Sequence, residues 1–129
     1  EVVALFNAPL RQVDHVLRAV RAALKIQEEV TRLHEQLPPA YCLSYGVGIN
    51  VGDAVVGFIG TEQQVNYTAI GSSVNLASRL QSAAAGGQIL LTDTAYRRVQ
   101  EHVEAQSLPP VDLKGFDEPV TVYELLGLK

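Results

Sequence analysis

The residues best suited to chemistry in this chain are an amide and a guanidinium four positions apart, Asn75 and Arg79, within the stretch Asn66 to Arg79, NYTAIGSSVNLASR. Arginine suits phosphate because its planar fork makes paired hydrogen bonds to two oxygens. At this spacing the two side chains share one helical face, close to a helix start where free N–H groups and the positive end of the dipole favour anions. An ordinary amphipathic helix with a solvated Asn and Arg carries the same spacing, and spacing alone does not separate the two readings. A second cation, Lys114, precedes Gly115. That pair suits a phosphate and is equally at home in a solvated turn.

Positioning Asn75 and Arg79 requires a helix beginning after Gly71. Ser72 and Ser73 offer hydroxyl caps, and Leu76, Ala77, Leu80, Ala83 and Ala84 form an apolar arc of roughly 120° at about 100° per residue. Asn75, Arg79 and Ser82 fall outside the arc. Upstream, Glu1 to Phe6 (EVVALF) reads as a buried strand ended by Asn7, Ala8 and Pro9. Its abrupt start implies that the sequence is the later part of a longer domain. Arg11 to Leu37 is the longest helical pattern, with Val13, Val16, Leu17, Val20, Ala23, Leu24, Val30, Leu33 and Leu37 on its apolar side and a solvated charged face opposite; Pro38 and Pro39 stop it.

Leu43 to Val51 alternates, with Ser44, Gly46, Gly48 and Asn50 forming a face of small residues. Glycines on one strand face indicate the close approach of another backbone, such as a packed helix, or of a ligand. Gly52 and Asp53 then turn the chain into Ala54 to Ile59 as a β-hairpin, and Gly60 to Gln64 is a loop before the strand Val65 to Ile70. Gly86 and Gly87 stop the next helix, Gln88 to Leu91 is a strand, and Thr92 caps a helix reaching about Val99. His102 to Ala105 and Val120 to Leu126 complete the strands. This order favours α+β, a largely antiparallel sheet with helices on one face.

With 129 residues, 14.0 kDa and 47% hydrophobic composition, the chain is one domain's worth with material for a core. A net charge of -4 and a pI near 5.3 exclude nucleic-acid binding by bulk electrostatics, so any phosphate recognition must be local. The single cysteine, Cys42, excludes an internal disulfide and reads as a core residue. His15, His34 and His102 are too scattered for a metal cluster. No apolar run approaches a membrane span and no signal peptide opens the sequence, which reads as a cytoplasmic domain.

From Val3 to Leu126 the chain resembles the catalytic domain of the class III adenylate and guanylate cyclases. The landmarks are VALFNAP, YGVGINVGDAVVGFIG, NYTAIGSSVNLASRL, GQILLT and LKGFDEPVTVYEL, in that order. The resemblance implies a ferredoxin-like α+β domain that pairs head to tail as a homodimer. It also implies conversion of a nucleoside triphosphate to a 3′,5′-cyclic nucleotide and pyrophosphate at the dimer interface, with Mg²⁺ or Mn²⁺. Carried over by position, Asn75 orients the ribose, Arg79 neutralises charge on the phosphoryl group under attack, Lys114 contacts the outer phosphates and Thr68 reads the purine. Thr68 stands where many adenylate cyclases have aspartate, but a bacterial subset is similar in carrying threonine. ATP is therefore expected ahead of GTP.

The resemblance also implies that the metal-binding aspartates and the purine-binding lysine lie upstream of Glu1, in an N-terminally truncated domain. Asp53, Asp93 and Asp112 match none of the metal motifs. The 129 residues alone are therefore expected to be inactive, and the first strand is expected to leave an edge open to association. The alternative reading is a non-catalytic cyclase-like module for dimerisation or nucleotide sensing.

Overall fold

The computed structural model describes the backbone of residues 1–129 and the side chains of all except Ile59, Val65 and Asn66. The first helix, α1 (His15–His34), follows the apolar periodicity: Val16, Val20 and Ala23 recur every three or four residues and are buried. Its outer side is laced by ion pairs of Lys25 and Arg32 with Glu28 and Glu29, and of Arg18 with Asp14 at 2.7 Å. A hydrogen bond from Arg18 holds the Asp14 carboxyl below its ordinary range, and one from Lys25 does the same for Glu29. All are solvent-exposed, so this is the solvated face expected and adds little stability. The helix is shorter than the pattern from Arg11 to Leu37; its end tightens, with the Glu35 and Gln36 N–H groups donating to the Arg32 and Leu33 carbonyls, and Pro39–Tyr41 forms a 3-10 turn.

Four strands build the main sheet: β1 (Val47–Ile49), β4 (Ile89–Thr92), β6 (Val122–Leu128) and β5 (Val103–Ser107), side by side in that order. β1 runs parallel to β4, while β4–β6 and β5–β6 are antiparallel. Every residue of β4 is buried, which is why ILLT reads as a continuous apolar run rather than an alternating one. On one face α1 and α3 (Asp93–Val99) pack through Val16, Val20, Ile49, Leu91, Val99 and Val103. On the other, α2 (Ser72–Ala83) packs through Leu80 onto Leu90, Leu113 and Val122. The α+β class is as expected. The one-face placement of helices holds for α1 and α3, whereas α2 covers the opposite face. Thr92 caps α3 as expected, its side chain accepting from the Ala95 N–H.

Three local expectations are corrected. Residues 1–6 form no strand, and Val2 and Val3 are exposed. A strand exists only where another pairs with it, and among the described residues none lies alongside, so the expected open edge is absent too. Of Leu43 to Val51, only Val47–Ile49 is strand, because β4 offers register partners only from Ile89 to Leu91. The hairpin expected across Gly52 and Asp53 is not formed. β2 (Val55–Gly60) pairs instead with β3 (Val65–Ile70) as a separate two-stranded sheet, with Phe58 opposite Tyr67 in an edge-to-face contact at 5.2 Å.

The small-residue face of β1 is explained by α2. A Cβ on Gly48 would lie 2.5 Å from the Gln81 backbone nitrogen and 2.6 Å from the Ala77 carbonyl oxygen, and one on Gly46 would meet Ala84 at 2.7 Å. The close approach read from the glycines is that of a helix backbone. Gly48→Ala should therefore lower stability by about 1–3 kcal/mol, the usual cost of overpacking, read as a reduced urea midpoint. An unchanged midpoint would contradict this packing.

Candidate functional site

The site residues depend on how α2 begins. Gly71 takes φ 147° and ψ 172°, a conformation essentially reserved for glycine, and is itself the cap residue, its carbonyl accepting from the Asn75 N–H at 3.1 Å. Ser72 and Ser73 were expected to cap this helix, but no side chain does so. With Gly71 in the cap position both serines already lie inside the first turn, past the place from which a hydroxyl reaches the free N–H groups. The turn is held from the sheet instead. The Asn50 Nδ2 donates to the Ser73 carbonyl at 3.0 Å, and the Asn50 Oδ1 accepts from Thr92 Oγ1 at 2.7 Å.

Asn75 and Arg79 are both exposed along one edge of α2, next to the fully buried Leu80. Ser78, between them, donates to the Glu1 carboxylate at 2.8 Å. Arg18, Lys25, Arg32 and Arg97 are all ion-paired, whereas among the described residues neither Arg79 nor Lys114 is. Lys114 occupies a tight turn closed by the Phe116 N–H on the Leu113 carbonyl at 3.1 Å. Leu113 is buried in the same cluster as Leu80. Arg79 and Lys114 are thus each one residue from a shared core, which ties both cations to one support.

Thr68 lies on β3 opposite Gly57, half-buried, and its strand runs through Ile70 and Gly71 directly into α2. It belongs to the separate two-stranded sheet, so its link to the other three residues is this covalent connection rather than the main core. The Asn66 side chain, at the start of the stretch, lies outside the described residues.

The donor set was tested for Mg²⁺ or Mn²⁺, which take oxygen ligands, carboxylates foremost. Among the described residues no three His, Cys, Asp or Glu side chains group closely enough to hold a metal ion. Asp93 is committed to Arg97 at 2.9 Å. These residues do not fit a divalent cation by themselves.

Sequence reasoning missed Asn50 as part of this region, although its place on the small-residue face beside Gly48 was a usable signal. Thr92 was found as a helix cap, and its second bond, to Asn50, was not.

Comparison with known proteins gives a consistent result. The family model of the adenylate and guanylate cyclase catalytic domain matches residues 3–127. Adenylate cyclase 1 of Rhizobium meliloti is 29% identical over 131 residues, covering 98% of this chain and 20% of its own length. The solved guanylyl cyclase Cya2 superposes with a TM-score of 0.89 at 33% identity, covering 96% of this chain and 64% of that one. The adenylyl cyclase CyaB from P. aeruginosa superposes with a TM-score of 0.84 at 30% identity, covering 94% and 64%. The chain therefore spans about a fifth of the first relative's length and somewhat under two thirds of the solved ones.

The geometry of the α2 start yields a paired expectation. Gly71→Ala should destabilise the protein by about 1–3 kcal/mol through backbone strain, since a Cβ there meets nothing closer than 3.6 Å. Ser72→Ala should stay within about 0.5 kcal/mol of the original. Urea unfolding of both variants checks this; a costly Ser72→Ala would restore the hydroxyl cap.

Proposed function

The chain belongs to the adenylate and guanylate cyclase catalytic domain family, and from that premise we propose that its parent protein converts ATP, in preference to GTP, to the 3′,5′-cyclic nucleotide and pyrophosphate. The observation that carries the reading is the exposed edge of α2, where Asn75 and Arg79 stand beside the core that also anchors Lys114.

In the proposed reaction the ribose 3′-oxygen forms a bond to the α-phosphorus, the bond to the bridging oxygen of pyrophosphate breaks, and the hydroxyl proton leaves. Negative charge grows on the α-phosphoryl oxygens and on the departing group, so positioning and fixed positive charge dominate the catalysis available to the protein. Arg79 supplies a two-pronged donor for the α-phosphoryl oxygens, Asn75 holds the ribose, and Lys114 acts as a point charge on the outer phosphates. The Thr68 hydroxyl can accept from an adenine amino group or donate to a guanine carbonyl. The preference for ATP rests on the similarity of this position to threonine-bearing bacterial cyclases.

These four residues form half a site, and we assign the other half to a second copy of the domain in a head-to-tail homodimer. Support comes from the β2–β3 hairpin, which leaves Val55, Phe58 and Ile70 exposed; an isolated two-stranded sheet with apolar side chains in water gains from being covered. The Mg²⁺ or Mn²⁺ that such chemistry uses takes its ligands from groups other than these residues, and supplies charge neutralisation when bound. The cytoplasm, where nucleoside triphosphates are made and used, is the proposed setting. Among the described residues no helix is long and apolar enough to cross a membrane.

The test is to incubate the full-length parent protein with ATP or GTP and Mg²⁺ or Mn²⁺. Cyclic AMP is expected as the main product. Absence of any cyclic nucleotide overturns the proposal and favours a non-catalytic dimerisation or nucleotide-sensing module. In the same assay Arg79→Ala should lower kcat by about 10²–10³-fold, the scale for losing one donor to a developing oxyanion, with KM nearly unchanged. Turnover equal to the original would remove Arg79 from the mechanism. The 129 residues alone should form no cyclic nucleotide, and measurable turnover by them would show that ligands within the chain suffice.

A further inference from the structure

Asn50, the first residue after β1, uses both ends of its amide. Its Nδ2 donates to the Ser73 carbonyl at 3.0 Å and its Oδ1 accepts from Thr92 Oγ1 at 2.7 Å. Thr92 is 2% exposed, ends β4, and accepts from the Ala95 N–H at 3.4 Å. The network has one consistent sense. A backbone carbonyl can only accept, so the amide nitrogen faces Ser73; the Thr92 hydroxyl, already accepting from Ala95, then gives its proton to Oδ1.

This bond is the side-chain hydrogen bond that ties the opening turn of α2, at Ser73, to the sheet. Farther along, the helix is fixed by packing: Leu80 is fully buried, Leu76 packs against the same cluster, and the Ala77 and Gln81 backbone lies directly on Gly48. Asn75 lies between the Ser73 bond and most of that packing, and Arg79 lies within it. With the Ser73 bond removed, α2 keeps its packed part, and its opening turn is left with the chain connection at Gly71 and the close contact of Ser73 with Gly52. A helix rises about 1.5 Å per residue, so a tilt about Leu80 moves Asn75, the farther of the pair, more than Arg79.

We propose that Asn50 is a positioning residue for the cyclisation, fixing the first turn of α2 against the ends of β1 and β4 so that Asn75 and Arg79 meet the substrate in register. The inference rests on the assignment of Asn75 and Arg79 to the reaction. It requires the amide at position 50 and the hydroxyl at position 92 to act as a pair.

The test uses the full-length parent protein. Asn50→Ala should lower kcat by about 10–100-fold, the scale of a small misplacement of catalytic groups, with KM within about threefold. Asn50→Asp keeps the bond from Thr92 but sets an oxygen against the Ser73 carbonyl, and should lose a similar factor. Thr92→Val should lower kcat, while Thr92→Ser, which keeps the hydroxyl, should restore it to within about threefold. Amide hydrogen exchange should quicken in residues 75–77 of Asn50→Ala, the first hydrogen-bonded amides of α2, while α1 keeps its protection. If Asn50→Ala does not fold, Asn50→Asp and Thr92→Val decide by the same measurements. Folded variants with unchanged kcat, or with unchanged exchange at residues 75–77, overturn the proposal. Arg79→Ala in the same assay separates the two readings: loss there with retention in the Asn50 variants removes only the positioning role. A wild-type protein without turnover removes the reaction and the role together.

Discussion

The arrangement of this domain depends on the contact between β1 and α2 at Gly48, where a strand backbone and a helix backbone meet with no side chain between them. Gly48 makes that contact possible, and the distances leave no room for a single added carbon. Side-chain packing can absorb a displacement by changing rotamers, but direct backbone contact cannot. The axis of α2 is therefore set by the sheet. Whatever stands on the outer edge of α2 inherits its position from β1 rather than from its own contacts, which fits two exposed side chains, Asn75 and Arg79.

β4 joins the two faces of the sheet. Its Ile89 and Leu91 belong to the core shared with α1 and α3, while Leu90 belongs to the cluster that holds Leu80 and Leu113. At its end, Thr92 caps α3 and bonds to Asn50, which in turn holds the opening of α2. One buried hydroxyl thus serves helices on opposite faces. Full burial of a leucine such as Leu80 contributes about 1.5–3 kcal/mol but little directional information. The polar chain through Asn50 supplies direction, because its donors and acceptors match in only one order.

Features written in local pattern were legible in the sequence. The apolar arc of α2, the small face of β1, the Thr92 cap and the strands near Val103 and Val122 all follow from periodicity or capping over a few residues. Features decided by distant partners were not. EVVALF has the composition of a strand and, among the described residues, no neighbour to pair with, and past Gly52 and Asp53 the strand Val55–Gly60 takes β3 as its partner rather than β1. The serine caps failed for a different reason: the φ of Gly71 shifted the helix start by one residue. For the site, spacing produced an edge with an amide and a guanidinium. The roles proposed for Thr68, Asn75, Arg79 and Lys114 rest on family resemblance, and Asn50 was not legible in local pattern because its two partners lie 23 and 42 residues away.

The exposure of that edge has a further physical consequence. Two unit charges 4 Å apart attract by about 1 kcal/mol in bulk water and about 4 kcal/mol at an effective dielectric constant near 20. Arg79, standing in solvent, has only the first figure available, less than a tenfold change in rate at 1.36 kcal/mol per decade. For it to act as proposed, the phosphoryl group must be brought against α2 under a cover that removes water from the guanidinium. The domain's own side chains do not provide that cover, since Asn75, Arg79 and Lys114 are all exposed. The same chain also presents an apolar hairpin, with Val55, Phe58 and Ile70 exposed on strands that lead directly into α2. In the proposed dimer, a second surface that covered both the hairpin and the α2 edge would lower the dielectric around Arg79, and association and catalytic strength would then be coupled.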